Sequence, residues 1–254
     1  MAPRPRPLRA VLLDMGGVLL DFGNAEGLPV GRHDWRGREA LLVLLRRPGG
    51  PPLEQRHLDE LLFEPWKREH ARRYERVREA DWRPHLARLR RYARRRFSDR
   101  RLLATWFAPF AETVTPVPEA PAAVAALAAA GVPLALVSNI PLPSPLYRDL
   151  LARHGYLPAF RHLFWSYDEG SRKPSPAMLH TALAALGVAP EEALMVGDRR
   201  SADVVAGRAA GVPTAWLRSA DAIGPEPDHR LDSMAELPPL VARLRRGTAA
   251  RARG

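Results

Sequence analysis

The sequence predicts an α/β fold: a parallel sheet with helices on both faces, and an α-helical segment inserted after the first strand. Two observations carry this expectation. From about residue 118 onward, short apolar runs of strand length alternate with helical stretches, the pattern of successive βαβ units. Between a first apolar run at 10–14 and that point, residues 22–112 show helical spacing and no strand-like alternation.

Taken in order, AVLLD at 10–14 is a short apolar run closing on Asp14, as expected of a buried parallel strand. In the insert, Leu58, Leu61, Leu62 and Trp66 recur at helical spacing, as do Leu86, Leu89, Ala93 and Phe97. PGGPP at 48–52 interrupts it as a loop. A helix over 119–130 ends at Gly131 and leads into a strand at 132–138. Another helix covers 145–154 before Gly155, LFWS at 163–166 reads as a third strand, and a helix over 175–186 closes at Gly187. The strand ALMVGD (193–198), a helix over 202–210 before Gly211, and the strand VPTAWL (212–217) complete the series. Glycine just past each helix is the expected left-handed cap. The division that follows is a Rossmann-like core of residues 9–21 and 113–246, a helical insert at 22–112, and disordered tails at 1–8 and 247–254.

Composition narrows the class. A chain of 254 residues, 46% hydrophobic, has room for a full core. No apolar run approaches the ~20 residues that cross a bilayer. The start, MAPRPRPLRA, lacks the apolar stretch and cleavage site of a secretory signal, so the chain reads as cytoplasmic. With no cysteine, disulfides, thiol catalysis and thiolate metal sites are excluded. Of 39 basic residues all but Lys67 and Lys173 are arginine, a bias of the whole chain. The charge, however, is concentrated: residues 67–101 hold 15 basic and 5 acidic side chains. Such a segment can attract phosphorylated metabolites, nucleic acid or an acidic partner.

Ligands of an open parallel sheet sit beyond the carboxyl ends of its strands. The residues there are Asp14, Ser138 with Asn139, and Asp198; Lys173 lies in the loop after the third strand, and Asp203 opens the helix after Asp198. Paired carboxylates without soft ligands suit a hard cation such as Mg²⁺. Such an ion clamps phosphate oxygens, and a carboxylate beside it can attack phosphorus. A hydroxyl and an amide at a strand tip can donate to phosphate oxygens, and a lysine adds compact positive charge.

On these residues the chain resembles the haloacid dehalogenase superfamily, whose four motifs occur in order. LLDMGGVLLD puts Asp14 on the family's nucleophile, and LALVSN puts Ser138 on its phosphate-binding hydroxyl. RKPSP places Lys173 on the family's lysine, and VGDRRSAD places Asp198 and Asp203 on its acidic pair. The resemblance implies Mg²⁺ held by Asp14, the backbone of Gly16 and Asp198, with Asp203 behind them. It also implies catalysis by Asp14, Ser138 and Lys173, and substrate binding by Ser138, Asn139 and Lys173. The insert lies where the family places its helical cap, a match of position and not of motif. At Gly16 the chain departs from the pattern, since the family has there a second Asp that protonates the leaving group and activates water. Family members without it include dehalogenases, phosphonate hydrolases and some sugar-phosphate phosphatases.

The expected function is an Mg²⁺-dependent phosphatase of a small phosphorylated metabolite, working through an aspartyl-phosphate on Asp14. A 2-haloacid dehalogenase is one alternative, disfavoured because such enzymes use no metal and lack the Gly197-Asp198 pair. A degenerate family member binding nucleic acid through a basic cap is another, opposed by the absence of any nucleic-acid motif. Trp66, Tyr74, Trp82 and Trp106 are expected as the cap's own core. Arg90, Arg91, Arg94 and Arg95 are expected either to solvate a helix face or to draw substrate in. His33, His57, His70 and His85 lack metal-site spacing; His33 and His70 are the first candidates to replace the acid missing at Gly16.

Overall fold

The apolar run Ala-Val-Leu-Leu forms β1 (Ala10–Leu13), and all four residues are buried. In this computed structural model, which describes residues 6–24 and 27–247, β1 is the centre of a six-stranded sheet. The chain then forms β2 (Leu20–Asp21) and five helices: α1 (Gly31–Leu45), α2 (Gln55–Leu58), α3 (Glu64–Tyr74), α4 (Arg83–Ala93) and α5 (Asp99–Ala111). A π-turn over Asp59–Phe63 joins α2 to α3. The return passes through β3 (Thr115–Pro116), which pairs antiparallel with β2, so one short ribbon carries the chain into the insert and back. The expected alternation follows: α6 (Ala120–Ala129), β4 (Leu134–Ser138), α7 (Ser144–Arg153), β5 (Phe160–Trp165), α8 (Ser166–Glu169), α9 (Ala177–Leu186), β6 (Ala193–Gly197), α10 (Val205–Ala209) and β7 (Thr214–Leu217). Two elements close it that the sequence reading omitted, β8 (His229–Leu231) and α11 (Leu237–Arg245).

Strand order is β5-β4-β1-β6-β7-β8, and every neighbouring pair is parallel. The chain builds outward from β1 through β4 to β5, then returns to the other side of β1 with β6. That reversal opens a crevice at the carboxyl end of β1, where Asp14 stands. The pleat sorts β1 between two cores. Val11 and Leu13 pack on the face with Val124 and Leu127 of α6 and Leu240 of α11. Leu12 faces Met178, Leu179 and Leu183 of α9. Each such leucine contributes about 1.5–3 kcal/mol by leaving water, so the strand that aims Asp14 is held from both sides.

Several boundaries differ from expectation. The third strand begins at Phe160, and Ser166 already belongs to α8. The helix after Asp198 opens as a π-turn over Arg200–Val204 before α10. Gly131, Gly155, Gly187 and Gly211 end their helices with positive φ, as read from the sequence. Of the expected tails, residues 1–5 and 248–254 lie outside the described residues. Residues 6–8 are placed: Leu8 is buried and donates its backbone N–H to Leu244. Among the described residues no helix is long and apolar enough to cross a membrane.

In the insert Trp66, Trp82 and Trp106 are buried together, the Trp66 and Trp82 rings 4.1 Å apart. The Trp82 indole N–H reaches the carbonyl of Pro141 at 2.8 Å, tying the insert to the loop after β4. Tyr74 departs from expectation. It is 40% exposed, and its ring meets His70 of the insert on one hand and the Arg172 guanidinium on the other.

Candidate active site

A cavity of about 510 Å³ opens at the carboxyl ends of β1, β4 and β6, and Asp14, Gly16, Ser138, Asn139, Lys173, Asp198 and Asp203 all line it. Parallel pairing sets their level. Leu13 pairs with Leu136 on one side and Val196 on the other. The amide of Asp14 continues the ladder to Val196 at 2.9 Å, so the carboxylate leaves the sheet at its tip.

Lys173 organises the centre. Its side chain is 1% exposed, and Nζ lies 3.1 Å from Asp14 Oδ1 and 2.6 Å from Asp203 Oδ1. It also donates to the carbonyl of Val137 at 2.8 Å. Two carboxylates and a carbonyl thus surround the ammonium, as a buried lysine requires. Burial works against its charge, but Asp14 and Asp203 outweigh it and hold the ammonium above the usual lysine range. Asn139 spends both ends of its amide on the same residue: Nδ2 donates to the Lys173 carbonyl at 2.9 Å, and Oδ1 accepts its N–H at 2.8 Å. The geometry therefore gives Asn139 the task of fixing the lysine's backbone. Ser138, 1% exposed, closes β4 at the cavity wall.

Asp203 faces Lys173 through Oδ1, and its Oδ2 accepts the backbone N–H of Arg199 at 2.9 Å. Burial pushes its carboxyl up against the pull of Lys173. Asp198 has no ion pair among the described residues, and its Oδ1, like Oδ1 of Asp14 and Asp203, is buried with no hydrogen-bond partner. Burial, followed by the proximity of Asp203 and Asp14, pushes its carboxyl up to about 8. The backbone carbonyl is fixed by the Trp216 indole at 2.8 Å and by the Ser219 hydroxyl. Asp14, Asp198 and Asp203 each offer an oxygen within 4.8 Å of the others. A buried, unpartnered carboxylate oxygen within an all-oxygen set fits a hard divalent cation.

Two glycines make room for this arrangement. At Gly17, with φ of +68°, a Cβ would lie 2.3 Å from Asp198 Oδ2. At Gly197 it would lie 2.1 Å from Asp203 Cγ. Gly16 is not so constrained: a Cβ there would meet only the Phe22 ring, at 3.4 Å, and its φ is not left-handed.

Several residues of the site were not singled out in the sequence. Arg172, Arg199, Asp21 and Asp221 line the cavity. Arg172 pairs with Glu79 of the insert, and Arg199 pairs with Asp221 at 3.2 Å. Tyr74 lies against the Arg172 guanidinium, 3.9 Å from Cζ to the ring centroid, and neighbours Arg199. Nothing in a chain this rich in arginine marks those two. Conversely, Arg90, Arg91, Arg94 and Arg95 do not line the cavity. Arg90 pairs with Asp99, and Arg95 donates to the carbonyl of Leu44 at 3.1 Å, which leaves the solvated or structural reading of that cluster. His33, His57, His70 and His85 are likewise outside it. His33 packs edge-on to Phe110, and His70 stacks on Trp66. Neither is placed to supply the acid missing at Gly16.

Comparison with known proteins agrees with this geometry. The haloacid dehalogenase-like hydrolase family matches residues 8–211. A phosphoserine phosphatase from Thermus thermophilus is 40% identical over 124 residues, 47% of this chain and 49% of that protein. A phosphoglycolate phosphatase from Yersinia pseudotuberculosis is 38% identical over 100 residues, 39% of this chain and 42% of its own length. The chain thus spans about half the length, or less, of these curated relatives. Among solved structures, the magnesium-bound HAD-hydrolase YfnB from Bacillus subtilis superposes with a TM-score of 0.56 at 19% identity, covering 93% of this chain and 99% of that one. A 2-haloacid dehalogenase from Pseudomonas syringae gives 0.61 at 22% identity, covering 93% and 99%. Likeness at this level shows the fold and does not choose between the two chemistries. With the family matching four-fifths of the length and its motif residues gathered around one cavity, the chain belongs to the haloacid dehalogenase-like hydrolases.

Proposed function

We propose that this hydrolase is a phosphatase of a small phosphorylated metabolite and that Asp14 is its nucleophile. The observation that carries the reading is Asp198, a half-buried carboxylate with one buried, unpartnered oxygen beside Asp14 and Asp203. Such a group calls for a cation, and a haloacid dehalogenase has no use for one at that position. The partial likeness to phosphoserine and phosphoglycolate phosphatases supports the same side.

Asp14 and Asp198, with the backbone of Gly16, would hold Mg²⁺, which when bound neutralises phosphate charge and clamps its oxygens. A carboxylate oxygen of Asp14 forms a bond to phosphorus while the bond to the leaving oxygen breaks, and the pair of electrons departs with that oxygen. Lys173 keeps Asp14 aimed, and Ser138 stands where a phosphate oxygen can take its hydroxyl. Water then attacks phosphorus, releases inorganic phosphate and restores Asp14. Position 16 carries no carboxyl to protonate the leaving oxygen. Esters whose leaving groups are stable as anions, such as anomeric, acyl and aryl phosphates, are therefore the favoured class.

The test is turnover of p-nitrophenyl phosphate and of a metabolite panel with Mg²⁺, with EDTA, and by Asp14→Asn. Activity that disappears with EDTA and with Asp14→Asn in a folded protein is expected. Undiminished hydrolysis in EDTA sinks the metal-dependent mechanism, and turnover of 2-haloacids alone would replace it with dehalogenation.

A further inference from the structure

Arg172 directly precedes Lys173 in the chain and is 5% exposed. One short stretch of the insert, Tyr74 to Glu79, grips it at three points. The Tyr74 ring covers its guanidinium at 3.9 Å. The Val77 carbonyl accepts its backbone N–H at 3.0 Å. Glu79 accepts from Nη1 at 3.3 Å, in a pair whose side chains are 6% and 3% exposed. Glu79 also accepts the Ser166 hydroxyl at 2.6 Å, and that oxygen takes the amide of Ile140, two residues past Ser138, at 2.8 Å. The insert is therefore keyed into the loops after β4 and β5 through one carboxylate.

Two features show that this contact is held against a cost. Val77 has a φ of +58°, the left-handed region that a β-branched residue rarely enters and that persists only where surroundings impose it. Burying Arg172 and Glu79 together carries a desolvation penalty that their attraction does not reliably exceed. On its other side, Arg172 is joined to a residue whose own N–H and carbonyl are pinned by Asn139. The peptide carrying Lys173 is thus clamped between the insert and the end of β4.

We propose that Arg172 is a positioning residue through which the insert's Tyr74–Glu79 turn sets the place of Lys173 against Asp14. The inference rests on the phosphatase reading for its kinetic arm only. Tyr74 and Glu79 do not line the cavity; Tyr74 also neighbours Arg199 and Glu79 also holds Ser166, but Arg172 is the cavity residue that both of them grip. Misplacing a reacting group by an ångström can cost on the order of a hundredfold in rate. Tyr74→Leu and Glu79→Gln should therefore each lower kcat by about tenfold or more while KM stays within about twofold. In an Arg172→Met background the same changes should cost little further, because the route is already cut.

The experiment compares these proteins by steady-state kinetics with p-nitrophenyl phosphate and by amide hydrogen exchange of the peptide spanning 170–176. Faster exchange there, with β1 and β6 unchanged, is expected in both insert variants and needs no turnover. If the wild type hydrolyses no phosphoester, the functional reading fails while the exchange result still decides this one. Raised KM with unchanged kcat would make the arginine a direct substrate contact and overturn the proposal. Wild-type kcat and exchange in Tyr74→Leu, a change at a half-exposed position, overturn it even if Glu79→Gln fails to fold.

Discussion

Replacing Lys173 by Met is the most informative single perturbation of this site. The substitution keeps an unbranched apolar stem in a position that is 1% exposed, and removes the ammonium that bonds Asp14, Asp203 and the Val137 carbonyl. What remains is a pair of buried carboxylates and a carbonyl without their donor. Breaking a buried pair by deleting one partner costs about 3–5 kcal/mol. That is a large share of the roughly 5–15 kcal/mol that stabilises a typical fold, and it corresponds to a fall in Tm of roughly 10 °C for a chain of this size. The loss also has a predictable pH dependence. Lys173 is held above 10.5, so in the wild type its contribution is fully present below that value and constant across the neutral range. In the variant, Asp203 loses the cation that opposes its burial, and its carboxyl rises further above 3.8. The folded variant then retains a proton that the unfolded chain releases, so its stability falls as pH rises from about 4 through the raised folded value. Urea unfolding in EDTA at pH 5 and pH 8 measures this, and the deficit should be larger at pH 8. A deficit below about 1 kcal/mol, or one equal at both pH values, would refute the account of Lys173 as the charge on which the site is built.

Further outcomes follow from the same geometry. Gly197→Ala places a methyl group 2.1 Å from Asp203 Cγ; it should cost about 1–3 kcal/mol and most of the activity, and a folded variant with wild-type kcat would exclude the close approach. At residue 16 a Cβ would meet only the Phe22 ring, at 3.4 Å, so Gly16→Asp is expected to fold. It should flatten the dependence of kcat on leaving-group pKa across aryl and alkyl phosphates, whereas an unchanged slope would place the proton donor elsewhere. Changing Arg91 and Arg94 to Glu should leave KM unaltered at low salt, because neither lines the cavity; a raised KM would mean that the insert's charge steers substrate after all.

The sheet was legible in the sequence because a parallel sheet covered on both faces demands continuous apolar strands, and the glycines ending its helices punctuate them. The residues that close those strands were legible for the same reason. Asp14, Ser138 and Asp198 each follow an apolar run directly, and Lys173 stood out as one of two lysines among so many arginines. The edge strand β8 was missed, since three residues reading His-Arg-Leu have no apolar signature of their own. Only the tertiary structure assigned the finer roles. Asn139 looked like a phosphate-binding amide, and folding turned both its ends onto the Lys173 backbone. Tyr74 carried the spacing of a core aromatic, and folding drew it out to Arg172 and Arg199. Arg172 was one arginine among many until the insert's Tyr74–Glu79 turn closed around it. These assignments depend on contacts between segments distant in sequence, 34 residues apart for Asn139 and Lys173 and 93 for Glu79 and Arg172. Local periodicity reports which face of an element is buried, and it carries no information about which distant side chain the fold brings to meet it.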